Sequence, residues 1–75
     1  MKKSVKYFER WLKIPKHHNF IAKDASGDLY SYSQKPAYDT EFHYWYSGFD
    51  SGFFDSEFIC VDTSDIDWFN SLVKV

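Results

Sequence analysis

The chain has a single cysteine, Cys60, in 75 residues. An internal disulfide is therefore excluded, and so is a four-cysteine metal site. No apolar run approaches the roughly 20 residues that a transmembrane helix needs. Met1-Lys2-Lys3 has no apolar stretch behind it, which predicts no secretory signal and residence in the cytoplasm. A chain of this length leaves room for one domain, residues 1–75, and none for a separate catalytic module. No repeat, low-complexity linker or domain boundary interrupts it.

What the chain does have is aromatic side chains: 17 of its 75 residues are Phe, Tyr or Trp. Each buries about 150–250 Å² when interior. With no disulfide and few Leu, Ile or Val, the core must be built largely from those rings. Charge is divided unevenly. Residues 1–23 hold seven basic groups and one acid, whereas residues 24–75 hold two basic groups and ten acids. A split of this kind marks either an interaction surface or two halves that attract each other in the fold.

Periodicity predicts the elements. At 100° per residue, Val5, Phe8, Trp11 and Leu12 share one helical face, and Lys2, Lys3, Lys6, Arg10 and Lys13 cluster opposite. Ser4 suits the cap, and Pro15 ends the element. Residues 19–25 and 28–33 flank Ser26-Gly27 and read as a hairpin with Tyr30 and Tyr32 on one strand face. Residues 41–47 alternate as a third strand, "SGFDSG" (47–52) supplies a turn, and residues 53–62 form a fourth strand. In "DIDWFNSL", Thr63 or Ser64 would cap a short helical turn, and Trp68, Phe69 and Leu72 would return it to the sheet. The expected fold is thus α+β: an N-terminal amphipathic helix packed on a four-stranded antiparallel meander, with a short C-terminal helical turn.

The run from Pro15 through "FIAKDASGDLYSY" (20–32) to Lys35-Pro36 resembles a pattern in small accessory proteins of tailed bacteriophages and prophages. That pattern reads I-A-x-D-x-x-G-x-[LV]-Y-x-[YF]-x-x-K-P. "DWFNSL" (67–72) is similar to their terminal D-W-x-x-S-L element. The resemblance covers about two-thirds of the chain and brings no catalytic motif with it. It implies a product made during infection, in the cytoplasm of the bacterial host, that binds and inhibits a host or defence protein.

No catalytic constellation has recognisable spacing, so no enzyme activity and no cofactor are expected. Cys60 sits between Ile59 and Val61, where a buried thiol is far commoner than a reactive one. Asp24, Ser26 and Asp28 imitate the start of a calcium loop. Their glycine falls at the fourth position instead of the sixth, and Lys35 occupies the place of the bidentate glutamate. His17-His18 is an adjacent pair, and adjacent residues on an extended segment point apart, so no metal site is expected.

Two surfaces remain. "FHYWYSGFDSGFFDSEF" (42–58) places rings on both strand faces, more than one sheet face can bury. Tyr44, Trp45, Tyr46, Phe49, Phe53 and Phe54, with Asp50, Asp55 and Glu57, are therefore the expected partner-binding residues, for a host or defence protein or for a second copy of this chain. The alternative is nucleic-acid binding by Lys2, Lys3, Lys6, Arg10 and Lys13, opposed by the acids of residues 24–75.

Overall fold

Residues 2–15 form a β-hairpin and not a helix. In the computed structural model, which describes residues 1–41, 44–46 and 55–75, strand β1 (Lys2–Tyr7) pairs antiparallel with β2 (Arg10–Pro15) from Lys2↔Pro15 to Tyr7↔Arg10. Among the described residues, 54% are in strands and 5% are helical, which overturns the helix-on-sheet expectation. The physical reason is a second period hidden under the helical one. Val5 and Tyr7, then Leu12 and Ile14, point inward at spacing two on each side of the Phe8-Glu9 turn. Tyr7 and Ile14, which the helical reading left at or beyond its edge, are 1% and 0% exposed. Phe8 takes φ 53° to close the two-residue turn, a left-handed conformation in which a bulky residue is uncommon.

The central sheet has four antiparallel strands in the order Ser56–Val61 (β7), Asp28–Tyr32 (β4), Phe20–Lys23 (β3) and Val73–Lys74 (β8). Strand β3 (Phe20–Lys23) and β4 (Asp28–Tyr32) form the hairpin at the expected place. Gly27 makes its turn possible with φ 98°, and its NH donates to the Asp24 carbonyl at 2.8 Å. A Cβ there would lie 3.1 Å from the Asp62 carbonyl oxygen.

Beyond this hairpin the chain departs from a meander. Strand β5 (Ala37–Asp39) pairs with β6 (Tyr44–Tyr46) as a separate two-stranded ladder, and β7 (Ser56–Val61) returns to the outer side of β4. The Ser33 NH donating to the Asp55 carbonyl at 3.0 Å continues that pairing past Tyr32↔Ser56. Asp67 precedes a single 3-10 turn (Trp68–Asn70) without a side-chain cap. The chain then closes with β8 (Val73–Lys74) on β3, where the Val75 NH donates to the Asn19 carbonyl at 2.7 Å.

Successive residues of β3 feed different cores. Ile21 joins Tyr7, Leu12, Ile14 and Leu29 on the side covered by the N-terminal hairpin. Ala22 joins Tyr32 and Trp45 on the side covered by β5, β6 and the 3-10 turn. The sheet therefore carries a core on both faces, mainly aliphatic around Tyr7 on one and ring-built on the other.

Candidate binding surfaces

The ring-built side begins with Trp45. Its position opposite Tyr38 in the β5–β6 ladder sets their rings edge to face, with centroids 5.2 Å apart. Trp68 completes the group at 5.7 Å from Tyr38 and 6.3 Å from Trp45. The Trp45 indole NH donates to the Trp68 carbonyl at 3.0 Å, and its backbone NH donates to Asp24 Oδ1 at 2.9 Å. Trp45 is therefore a buried anchor, only 7% exposed, and not the open contact residue its sequence neighbourhood predicts. A half-open strand pair with two satisfied NH groups favours burial of the indole, since both polar needs are met inside.

Around this anchor the surface is grooved. One groove of about 610 Å³ is lined by Lys35, Pro36, Ala37, Tyr38, Trp45 and Leu72. A second, of about 290 Å³, has Asp24, Tyr30, Tyr32, Tyr44 and Tyr46 in its wall. Burial pushes the Asp24 carboxyl up, against the hydrogen bond from Trp45, and nearby Asp28 adds to the rise. Asp24 is thus a strut for β6, while Ser26 Oγ donates to Asp28 Oδ2 at 3.3 Å within the turn. A third, of about 270 Å³, is lined by Tyr38, Thr40, Trp68 and Phe69, of which Tyr38 and Phe69 stand 46% and 54% exposed.

Of the expected partner residues, Tyr44, Trp45 and Tyr46 come together, with the two tyrosine rings 6.0 Å apart. Asp55 and Glu57 do not join them. Glu57 stands opposite Ser31 in the β4–β7 ladder and forms an ion pair with Lys2, and Asp55 Oδ2 lies 2.9 Å from His17 Nε2. Phe49, Asp50, Phe53 and Phe54 lie outside the described residues. Tyr38 went unrecognised in the sequence. The signal for it was the short Ala37-Tyr38-Asp39 run that begins just after Pro36, where a new strand can start.

The basic group is dispersed by the same change from helix to hairpin. Lys2 is paired with Glu57, Lys3 Nζ donates to Asn19 Oδ1 at 3.1 Å, and Arg10 Nη1 donates to Asp62 Oδ1 at 2.6 Å. Lys6 and Lys13 remain on the outer face, where Trp11, directly across from Lys6, is 69% exposed.

Asp62 collects the deepest charges. Lys23 Nζ lies 3.2 Å from its Oδ2 and also donates to the carbonyls of Ser64 and Ile66. Burial alone would raise the Asp62 carboxyl, but hydrogen bonds from Ser64 and Lys23 outweigh it and hold the group below its ordinary range. The opposite charges of the two chain halves are thus partly consumed inside the fold.

His17 and His18 converge where an extended pair would splay, because they sit in the turn after Pro15. Their rings are 4.5 Å apart at 80°. His18 is 1% exposed, with Nδ1 2.7 Å from Ser31 Oγ, and burial pushes its pKa down. With Asp55 they form the cluster among the described residues able to offer three ligand atoms to an ion, all within 4.8 Å of one another. Among the described residues no helix is long and apolar enough to cross a membrane. Comparison with protein-family models, with curated proteins and with solved structures gives no match to this chain.

Proposed function

We propose that the protein is a non-enzymatic binding module that engages, and inhibits, a host or defence protein of an infected bacterium. The observation that carries this reading is the grooved aromatic face. Its 610 Å³ groove is walled by Tyr38, Trp45, Leu72 and Pro36, and the exposed Tyr38 also lines a smaller cleft with the exposed ring of Phe69. Rigid rings beside a preformed cleft present contact area at small entropic cost, and such residues dominate binding energy at protein interfaces. The resemblance to small phage and prophage accessory proteins supplies the setting.

The test is affinity capture from bacterial lysate with wild type and a Tyr38→Ser/Phe69→Ser variant, followed by direct titration of the purified captured protein. Loss of one protein from the variant's set, with at least tenfold weaker binding on titration, supports the reading. Identical sets and equal affinities refute it. A second copy occupying the groove is read in the same experiment from sedimentation of the wild type.

Trp11 favours one further reading. An exposed indole beside Lys6 and Lys13 on a two-stranded ribbon suits stacking against a base with phosphates alongside. This nucleic-acid reading predicts a salt-sensitive gel shift that Trp11→Ala and Lys6→Ala/Lys13→Ala each weaken. Absence of any shift with the wild type removes it.

A further inference from the structure

We propose that His17, His18 and Asp55 form a binding site for a divalent transition-metal ion of the zinc type, with a remaining coordination position open to solvent. Two ligands come from the turn between β2 and β3, and the third from the residue that precedes β7. The donor set decides the class of ion. Two imidazoles and one carboxylate suit borderline ions such as Zn²⁺, Co²⁺ or Ni²⁺, whereas Mg²⁺ and Ca²⁺ call for shells of oxygen.

The geometry supports a site more than a chance surface pair. His17 Nε2 and Asp55 Oδ2 are already 2.9 Å apart, and one donor atom from each residue falls within 4.8 Å of the others. Ligands held at about 2.0–2.2 Å around a tetrahedral ion stand roughly 3.4 Å from each other. The required contraction is small, and it falls on the two side chains best able to move: those of His17 and Asp55, 62% and 72% exposed.

The third ligand is fixed. His18 is buried and hydrogen-bonded through Nδ1 to the fully buried Ser31 Oγ, which orients the ring as an outer-shell partner does in metal sites. The backbone is fixed too. Asp55 exchanges two hydrogen bonds with Ser33 at the end of β4, one from its NH to Ser33 Oγ and one to its carbonyl from the Ser33 NH. The His18 NH donates to the Pro15 carbonyl at 2.9 Å. An ion bound here would tie the turn after β2 to the start of β7, clamping the N-terminal layer to the central sheet.

This inference is independent of the partner-binding reading, because none of the three grooves is lined by these residues. The test is titration of the full chain with Co²⁺, followed by its visible absorption, and with Zn²⁺, followed by the thermal unfolding midpoint. Expected are a single Co²⁺ per chain with a d–d band displaced by Zn²⁺, a raised midpoint, and no competition from Mg²⁺ or Ca²⁺. His17→Gln and Asp55→Asn change exposed side chains and keep the fold, and each should weaken Co²⁺ binding about tenfold or more. Ser31→Ala, acting through His18, should weaken it about 10–100-fold. His18→Asn alters a buried ring, so circular dichroism confirms its fold before its affinity is read. Absence of a Co²⁺ band and of a Zn²⁺-dependent midpoint in the wild type overturns the site. Equal affinity in wild type, His17→Gln and Asp55→Asn does so as well.

Discussion

The two faces of the central sheet are covered by hairpins of opposite character, one with strands of six residues and one with strands of three. On the N-terminal side, Tyr7, Leu12, Ile14, Ile21 and Leu29 are all at most 9% exposed, and Arg10, Lys23 and Asp62 bind the hairpin turn to the sheet. On the other side, Trp45 is buried, but Tyr38, Tyr44 and Phe69 remain 39–54% exposed around open grooves. On the N-terminal side one ring, Tyr7, packs among branched aliphatic side chains at spacing two. Large rings stacked edge to face leave clefts between them. One covering therefore carries stability, and the other has surface left over for recognition.

On the N-terminal side, the largest loss comes from breaking its charge cluster. Asp62→Ala leaves Lys23 buried without its carboxylate. Removal of one partner from a buried ion pair costs about 3–5 kcal/mol, and the half-exposed Arg10 keeps the value near the lower end. Urea titration measures it. The pH dependence has a defined sign. The folded carboxyl lies below its unfolded value, so its contribution is complete above the ordinary Asp pKa of about 3.9 and is lost as pH falls through the folded value. In Asp62→Ala the acid limb of the stability profile should flatten. An unchanged limb would place the acid sensitivity elsewhere.

The alkaline limb is shared by both sides, because burial also pushes the Tyr32 hydroxyl up on the ring-built face. Tyr7 donates its OH to the Ser71 carbonyl at 2.7 Å, and burial pushes its pKa up to about 12. Its contribution is complete below the unfolded tyrosine value of about 10 and is lost as pH rises towards 12. Tyr7→Phe should blunt the alkaline loss when stability is followed by fluorescence.

Next in size is Ile14→Ala. It removes a side chain with no exposure from the aliphatic core, at about 2–4 kcal/mol by denaturant titration. Gly27→Ala ranks below it at about 1–2 kcal/mol, because alanine is strained at φ 98° and its Cβ would press on the Asp62 carbonyl. Both exceed the effect expected of any single exposed ring on the opposite face.

The same contrast explains how much of the molecule was legible. The β3–β4 hairpin could be read because Gly27 marks its turn and Tyr30 and Tyr32 alternate with Leu29 and Ser31. Residues 2–15 could not, because Val5, Phe8, Trp11 and Leu12 satisfy a helical period while Val5/Tyr7 and Leu12/Ile14 satisfy a strand period. The turn that separates the two phases is Phe8-Glu9, with none of the Gly or Asn that ordinarily announces a positive φ. Strand β8 is two residues long and exists only through its pairing with β3, a non-local fact. At the candidate site, the wealth of rings was readable; of the expected surface, Tyr44 and Tyr46 line a groove and Trp45 between them is buried. Which rings stay open was not readable, because the burial of Trp45 depends on Asp24 and Trp68, 21 and 23 positions away.

The smallest stability effect is the one that matters for function. Tyr38→Ala removes a half-exposed ring with edge contacts to Trp45 and Trp68 and leaves the indole hydrogen bond of Trp45 in place. Edge-to-face pairs contribute about 0.5–1.5 kcal/mol each in well-buried settings, and water already reaches this one, so the cost should be near 1 kcal/mol or less. Trp45→Ala, one ladder position across, empties the core beneath and should cost about 3–5 kcal/mol. If the grooved face is a recognition surface, the order reverses on binding per unit of stability lost. Tyr38→Ala would then abolish partner capture in a protein that still unfolds cooperatively near the wild-type midpoint. A Tyr38→Ala protein as unstable as Trp45→Ala would instead make the outer rings part of the core, and the contrast between the two coverings would collapse.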